Sequence, residues 1–356
     1  MNKENFFIKN ISNSKFIGDD GAFVDGFVYS ADAFFEGVHF KREWMSYEQI
    51  GNKAMVVNIS DAVSMNAKPL YALITAAIPP SMSENEILQL QKGLKKAAKK
   101  HGVEIIGGDT IANTKLDLSI TIISKTDNPV YRKGLKKGHL LAYTGKLGDS
   151  LRDLNRLFAG EKIAANSRFY VPKLKSDFMY AAAAYMSFCM DISDGLFKEL
   201  ERVSEVNRLG YEFLCKIPKE QGESGEEYEL LFGFDEADLE RIMEISKETK
   251  TKITVFARAV KGFLSPDAEI GILGEIYSVK TLALVFRLAL YTLSQQERFS
   301  EAFLRLPYFV MVCGRQSTLR TLRSLAQSCP YLIKIRLSLL LFQVRFPPLL
   351  TPLRDC

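Results

Sequence analysis

Aspartates flanked by glycine, serine or alanine recur where a strand or helix should end. They stand in Gly18-Asp19-Asp20-Gly21, Ser30-Ala31-Asp32-Ala33, Asn58-Ile59-Ser60-Asp61, Gly107-Gly108-Asp109-Thr110 and Asp191-Ile192-Ser193-Asp194-Gly195. Carboxylates gathered from separate segments suit a hard divalent cation, magnesium above all. Such an ion is held by one or two carboxylates and shared with substrate phosphates. The pattern implies one charged site assembled in three dimensions, and an enzyme that uses a nucleotide.

Absent motifs narrow the chemistry. The chain has no G-x-x-x-x-G-K-S/T phosphate loop and no G-x-G-x-x-G; Gly145-Lys146-Leu147 has neither the spacing nor the hydroxyl. His39, His101 and His139 are its three histidines, none in H-E-x-x-H, and no G-x-S-x-G elbow is present. Phosphate chemistry run by carboxylate-bound magnesium remains. Phosphoryl transfer needs positioning and charge neutralisation more than covalent catalysis, so no catalytic side chain is assigned. A phosphate acceptor is already ionised near neutral pH and needs no general base. Each aspartate alone also reads as a turn residue, and the Lys95, Lys96, Lys99 and Lys100 run as a solvated helix face. Asp61 is the exception, because it follows Ile50, Ala54 and Val57 on one helical stripe. A carboxylate on a core-facing stripe is costly unless it is paired or holds a metal.

The elements that must position these groups follow from local signals. Ser46 with Gln49, and Ser83 with Glu86, are capping boxes that open two helices, the first running to about Met65. Strands are expected over Phe27–Ser30, Leu70–Ile78, Val103–Ile106, Leu116–Ile123, Leu140–Thr144, Tyr228–Phe234 and Lys252–Val260. Asp32 and the Gly107-Gly108-Asp109 turn then fall at strand exits. Met190–Leu196 joins a strand to a helix ending near Asn207, and Asp235 caps a helix to about Lys250. The reading is α+β, in two mixed α/β domains: 1–128, the ATP- and magnesium-binding half, and 129–262. An atypical Leu- and Arg-rich extension covers 263–356.

Composition bounds the setting. A chain of 356 residues, 47% hydrophobic and 25% charged, is enough for two ordinary cores. Residues 263–356 hold 11 Lys and Arg against 6 Asp and Glu, which accounts for the whole net charge of +5. The first 262 residues are therefore balanced and carry no electrostatic footprint for nucleic acid. No secretory leader and no membrane span are expected. Cys189, Cys215, Cys313, Cys329 and Cys356 are scattered without a C-x-x-C pair, which suits a cytoplasmic protein.

Taken together, eight segments resemble the thiamine-monophosphate kinase family, of the aminoimidazole ribonucleotide synthetase and selenophosphate synthetase superfamily. To the aspartate motifs they add Glu36-Gly37-Val38-His39-Phe40, Thr144-Gly145-Lys146-Leu147-Gly148-Asp149-Ser150 and Ser224-Gly225-Glu226-Glu227-Tyr228-Glu229-Leu230. The resemblance covers about residues 1–262. It implies ATP-dependent phosphorylation of thiamine monophosphate to thiamine diphosphate. It also implies two domains of the aminoimidazole ribonucleotide synthetase type and a homodimer joined through the N-terminal halves. By similarity, Asp20, Ser30, Ala31, Asp32, Asp61, Asp109, Asp191 and Asp194 fall at magnesium positions. Gly108, Asp109, Arg132 and Ser193 fall at ATP positions, and His39 and Glu226 at thiamine-phosphate positions.

Departures from the family pattern leave those carboxylates in place. Ala31 stands where a Thr is usual, so any ligand there is a backbone carbonyl; Gly21, Asn66 and Glu227 replace a common Cys, Gly and Asp. The family's C-terminal aromatic, which stacks on the substrate ring, has no recognisable equivalent. Two other readings stay open: a hydrogenase-maturation carbamoyl dehydratase, whose chain also ends in cysteine, and a nucleotide or metal sensor without turnover.

Overall fold

The computed structural model describes residues 3–262. The extension expected at 263–356 lies outside the described residues. The first half comprises α1 (Lys3–Ile11), β1 (Ala22–Val24), β2 (Phe27–Phe35), α2 (Tyr47–Ser64), β3 (Lys68–Ile78), α3 (Glu84–His101), β4 (Glu104–Ala112) and β5 (Asp117–Lys125). Both expected capping boxes form. The Ser46 hydroxyl accepts from the Gln49 N–H while the Gln49 side chain accepts from the Ser46 N–H, and Ser83 and Glu86 do the same for α3. Gly102, left-handed at φ 71°, ends α3.

These strands form one sheet in the order β1-β2-β5-β3-β4. Its neighbours are antiparallel except β3 and β4, which the α3 crossover makes parallel. Asp32 lies opposite Ile120, Ile120 opposite Ile74, and Ile74 opposite Gly108, so this row projects to one face. That face carries the buried Val28, Phe34, Ala72, Leu118, Ile120 and Ile122, and α2 packs on it. α3 packs on α2 backbone to backbone. A Cβ on Gly93 would meet the Glu48 carbonyl oxygen at 2.0 Å, and one on Gly51 the Leu90 oxygen at 2.2 Å.

The second half runs β6 (Leu140–Thr144), α4 (Asp149–Phe158), α5 (Ser176–Ala182), β7 (Met186–Asp191), α6 (Leu196–Asn207), β8 (Leu209–Phe213), α7 (Lys219–Gly222), β9 (Leu230–Phe234), α8 (Leu239–Glu248) and β10 (Ile253–Lys261). Its strands form an antiparallel sheet in the order β7-β9-β6-β10-β8. Every residue of β6 and β9 is buried, because both faces are covered. Leu196, Leu200 and Val203 of α6 pack with Leu141, Met190, Leu231 and Phe256 on one face. On the other, Phe178 of α5 meets Phe232 with ring centroids 5.4 Å apart.

Several boundaries differ from the sequence reading. β2 continues to Phe35, so Asp32 is interior to the strand rather than at its exit. Gly107, Gly108 and Asp109 likewise lie inside β4. Gly108, at φ 146°, is pressed against β3 so closely that a Cβ would sit 1.7 Å from the Ile74 oxygen. Asp235 caps a short 3-10 turn, Glu236–Asp238, before α8 begins. α1, β1, α4, α5 and β8 had no sequence expectation.

Candidate active site

α2 is the element on which the site is assembled. It buries 13 of its 18 residues, packing against β2 and β5 on one side and β7 on the other. Its Asn58 Oδ1 accepts the Asp32 N–H at 2.8 Å, which ties β2 to the helix at the aspartate. The Ser60 hydroxyl donates to Asp191 Oδ2 at 2.6 Å, and the Ser64 hydroxyl donates to Asp20. One helix thus orients two carboxylates, from the β1 approach and from the end of β7, and holds the backbone of a third aspartate on β2.

Asp20, Asp32, Asp61 and Asp191 share one pocket of charge. Burial, then the charges of Asp32, Asp191 and Asp20, hold the Asp61 carboxyl well above the ordinary range. Asp191 is raised by burial and by Asp20, against the Ser60 hydrogen bond. Dehydrated surroundings and Asp20 raise Asp32 too, although it keeps solvent access. Arg132 is the cation facing them: its Nε donates to Asp20 Oδ1 at 2.9 Å and its backbone N–H to Asp19 Oδ1 at 2.6 Å. Burial works against the Arg132 charge, yet Asp20, Asp191 and Glu199 hold the guanidinium above its usual range.

Asp194 stands at the rim, its side chain 54% exposed and paired with Arg202, its backbone N–H donating to Glu199 Oε1 at 2.9 Å. Ser193 is half-buried beside it, and its carbonyl accepts the Glu226 N–H at 2.6 Å. Ser30 is buried on the inner face of β2 with an Oγ that has no hydrogen-bond partner. Ala31 points to the opposite face. Asp109 is not brought into this group. It lies on exposed β4, three strands from β2, or about 14 Å at ordinary strand spacing, and it faces away from the Asp32 row. Gly108 is in that row.

The donor set fits a hard cation. Buried carboxylates that repel one another, with one guanidinium opposing them and an unpartnered serine hydroxyl beside them, are the oxygen donors magnesium takes. Among the described residues no three His, Cys, Asp or Glu side chains meet closely enough to enclose an ion. Magnesium retains waters and phosphate oxygens, so an open set of this kind is adequate.

A cavity of about 200 Å³ opens beside the turn that follows β2. The turn after β2 supplies its Val38, His39 and Trp44, α4 supplies Leu151, Leu154 and Phe158, and Phe169, Gly225 and Glu226 complete it. His39 Nδ1 accepts the Phe35 N–H at 2.9 Å, and its ring stacks on Phe34 with centroids 5.6 Å apart. Trp44 meets Phe158 edge-on at 5.0 Å, with the Lys41 ammonium 4.7 Å from the indole centroid. His39 and Glu226 therefore do come together, in an aromatic pocket that the sequence did not disclose. Trp44, Phe158 and Phe169 carried no sequence signal beyond their aromaticity. Lys53 did, since it lies three residues after Ile50 and four before Val57, on the buried stripe.

This architecture, two five-stranded sheets with an acidic site where α2 meets both, is that of the aminoimidazole ribonucleotide synthetase class. The family described as AIR synthase related protein, N-terminal domain, matches residues 18–126. The thiamine-monophosphate kinase of Leptospira interrogans is 31% identical over 253 residues, covering 65% of this chain and 82% of that protein. That of Aquifex aeolicus is 29% identical over 253 residues, covering 63% and 82%. Among solved structures, AaThiL complexed with AMPPCP and TMP superposes with a TM-score of 0.65 at 25% identity, covering 73% of this chain and 90% of that one. The hydrogenase maturation protein HypE in complex with ATP shares the fold at a TM-score of 0.56 and 15% identity, covering 72% and 86%. The chain belongs to the thiamine-monophosphate kinase family, and it is a kinase.

Proposed function

We propose that this chain transfers the γ-phosphoryl group of ATP to the phosphate of thiamine monophosphate, giving thiamine diphosphate and ADP. The observation that carries this reading is that β2 and the turn after it supply both Asp32 of the carboxylate cluster and His39 of the aromatic cavity. Asp32 and His39 lie on one strand and its following turn, seven residues apart in the chain. An acceptor lodged in the cavity would present its phosphate to the acidic site next door.

Asp20, Ser30, the Ala31 carbonyl, Asp32, Asp61, Asp191 and Asp194 are the groups we assign to magnesium; Asp109, which faces away from them, is left out of that set. When bound, the metal neutralises phosphate charge and aligns donor with acceptor. Arg132, Gly108 and Ser193 are assigned to ATP, and His39 and Glu226 to the acceptor. An ionised acceptor oxygen attacks the γ-phosphorus while the bond to the β-phosphate oxygen breaks and ADP leaves. No side chain has a proton to remove, so the protein contributes position, charge and exclusion of water. Trp44, Phe158 and Phe169 suit a cationic heteroaromatic ring, whose charge is attracted by ring faces.

We further infer that residues 1–128 form the ATP- and magnesium-binding domain and 129–262 the second domain of a cytoplasmic homodimer. The outer face of the first sheet supports the pairing, since Tyr29, Phe35, Tyr71, Leu73 and Ile111 stand exposed on it. No helix among the described residues is long and apolar enough to cross a membrane. Incubation with ATP, magnesium and thiamine monophosphate tests the activity. Thiamine diphosphate and ADP are expected in equal amounts. A chain that binds ATP but forms no thiamine diphosphate would have to be the sensor or another ATP-using member of the fold.

A further inference from the structure

Lys53 is fully buried, a rare position for a lysine. It rises from α2, and its Nζ donates to Glu226 Oε2 at 2.7 Å across the junction between the two halves. The Phe169 ring face lies 4.0 Å from the ammonium and the Phe34 ring 5.8 Å away. Glu226 itself is held in an uncommon conformation. Its φ of 54° is left-handed, a region costly for a residue with a Cβ, and its N–H is tied to the Ser193 oxygen. Backbone and carboxylate are therefore fixed from opposite sides. Oε2 is taken by Lys53, while Oε1 has no hydrogen-bond partner among the described residues, and the side chain lines the cavity with 24% of its surface exposed.

We propose that Lys53 is a positioning residue for the acceptor: it clamps one oxygen of Glu226 so that the other is presented to a cationic or hydrogen-bond-donating ring in the cavity. The buried charge is satisfied by one carboxylate and two ring faces. It cannot reach solvent, so its effect on a ligand passes through Glu226. The proposal rests on the cavity being the acceptor site. It adds a determinant of acceptor affinity that touches neither the acceptor nor the nucleotide.

Trp44 is the only tryptophan in the chain and lines this cavity, so its fluorescence reports occupancy directly. Titration of the wild-type protein with thiamine monophosphate should quench it. Lys53→Met keeps an unbranched apolar side chain between the two phenyl rings. It should raise both the dissociation constant read from Trp44 and the KM for thiamine monophosphate about tenfold or more. The affinity for a non-hydrolysable ATP analogue should stay the same, and kcat should fall much less than KM rises. Glu226→Gln should weaken the acceptor to a similar degree, and the double variant Lys53→Met/Glu226→Gln should be no worse than Glu226→Gln alone. An unchanged acceptor KM in a folded Lys53→Met protein, or full additivity in the double variant, overturns the proposal. If Lys53→Met does not fold, Glu226→Asp decides. One methylene short of the ammonium, it should lose as much acceptor affinity as Glu226→Gln, and wild-type KM in Glu226→Asp overturns the clamp. A wild-type protein with neither quenching nor turnover overturns the functional reading, and the role of Lys53 with it.

Discussion

Gly93→Ala is a single-methyl test of whether the α2–α3 packing sets the site. The new Cβ would lie 2.0 Å from the Glu48 oxygen and 2.7 Å from the Asn52 nitrogen, both main-chain atoms that no rotamer change can move. Ordinary contact begins at 3.4 Å, so the helices must part by about 1.4 Å along that direction. Overpacking of this sort costs about 3 kcal/mol, and alanine returns about 1 kcal/mol in helix propensity, leaving a net loss of about 2 kcal/mol. For a body of this size that lowers the melting temperature by roughly 4–8 °C. The functional loss should be larger. α2 carries Lys53, Asn58, Ser60, Asp61 and Ser64, and a misplacement of about 1 Å can cost on the order of a hundredfold in rate. Thermal melting and turnover with saturating ATP and thiamine monophosphate give the two readings. A Gly93→Ala protein that melts and turns over like wild type would refute the idea that this contact places the site.

Three further outcomes are expected. Asp61→Asn and Asp194→Asn should each abolish transfer while keeping the fold, because each removes a metal-binding charge; wild-type turnover in either would discredit the magnesium assignment. Burial, with Lys100 adding, lowers the His101 imidazole from 6.5 to about 4, and its Nε2 is buried without a partner. Between those values the unfolded chain holds a proton that the folded chain does not. Stability therefore rises with pH through the window and is lost as pH falls from 6.5 towards 4. The difference in urea stability between pH 4.5 and 7, at most about 3 kcal/mol from this group, should shrink in His101→Gln. Finally, truncation after Gly262 should leave turnover intact, since the cavity and acidic cluster are complete by Tyr228 and β10 closes its sheet at Lys261. A soluble but inactive truncation would assign part of the site to 263–356.

What the sequence revealed, and what it hid, divides along the range of the forces involved. α2 and α3 are announced by residues three apart, Ser46 with Gln49 and Ser83 with Glu86, and both were legible. α4 was not, because its first turn is capped from far along the chain. Glu227 Oε1 accepts the N–H groups of Gly148 and Ser150, and Ser224 Oγ accepts that of Leu151. Gly107-Gly108 reads as a turn locally, yet the close approach of β3 recruits it into β4. Asp61 on an apolar stripe is the most informative single residue, and Lys53 lies on the same buried face of α2. The aromatic cavity was out of reach, since Trp44, Phe158 and Phe169 meet only when α4 folds over the turn after β2.

The position of α2 between both sheets has a consequence for how the chain can be divided. Its buried surface is completed by β7 and α5, and Tyr180 of α5 donates its hydroxyl to the Ala67 oxygen at 3.1 Å just beyond the helix. Arg132 adds to the joint, its Nε donating to Asp20 Oδ1 at 2.9 Å. A fragment ending at 128 would leave an apolar flank of α2 in water, and a fragment starting at 129 would leave Asp191 and Glu226 without Ser60 and Lys53. The two pieces are therefore suited to reconstitution on mixing rather than to independent life. Recovered activity would report their association as a split reporter does, with the substrate pocket as the signal.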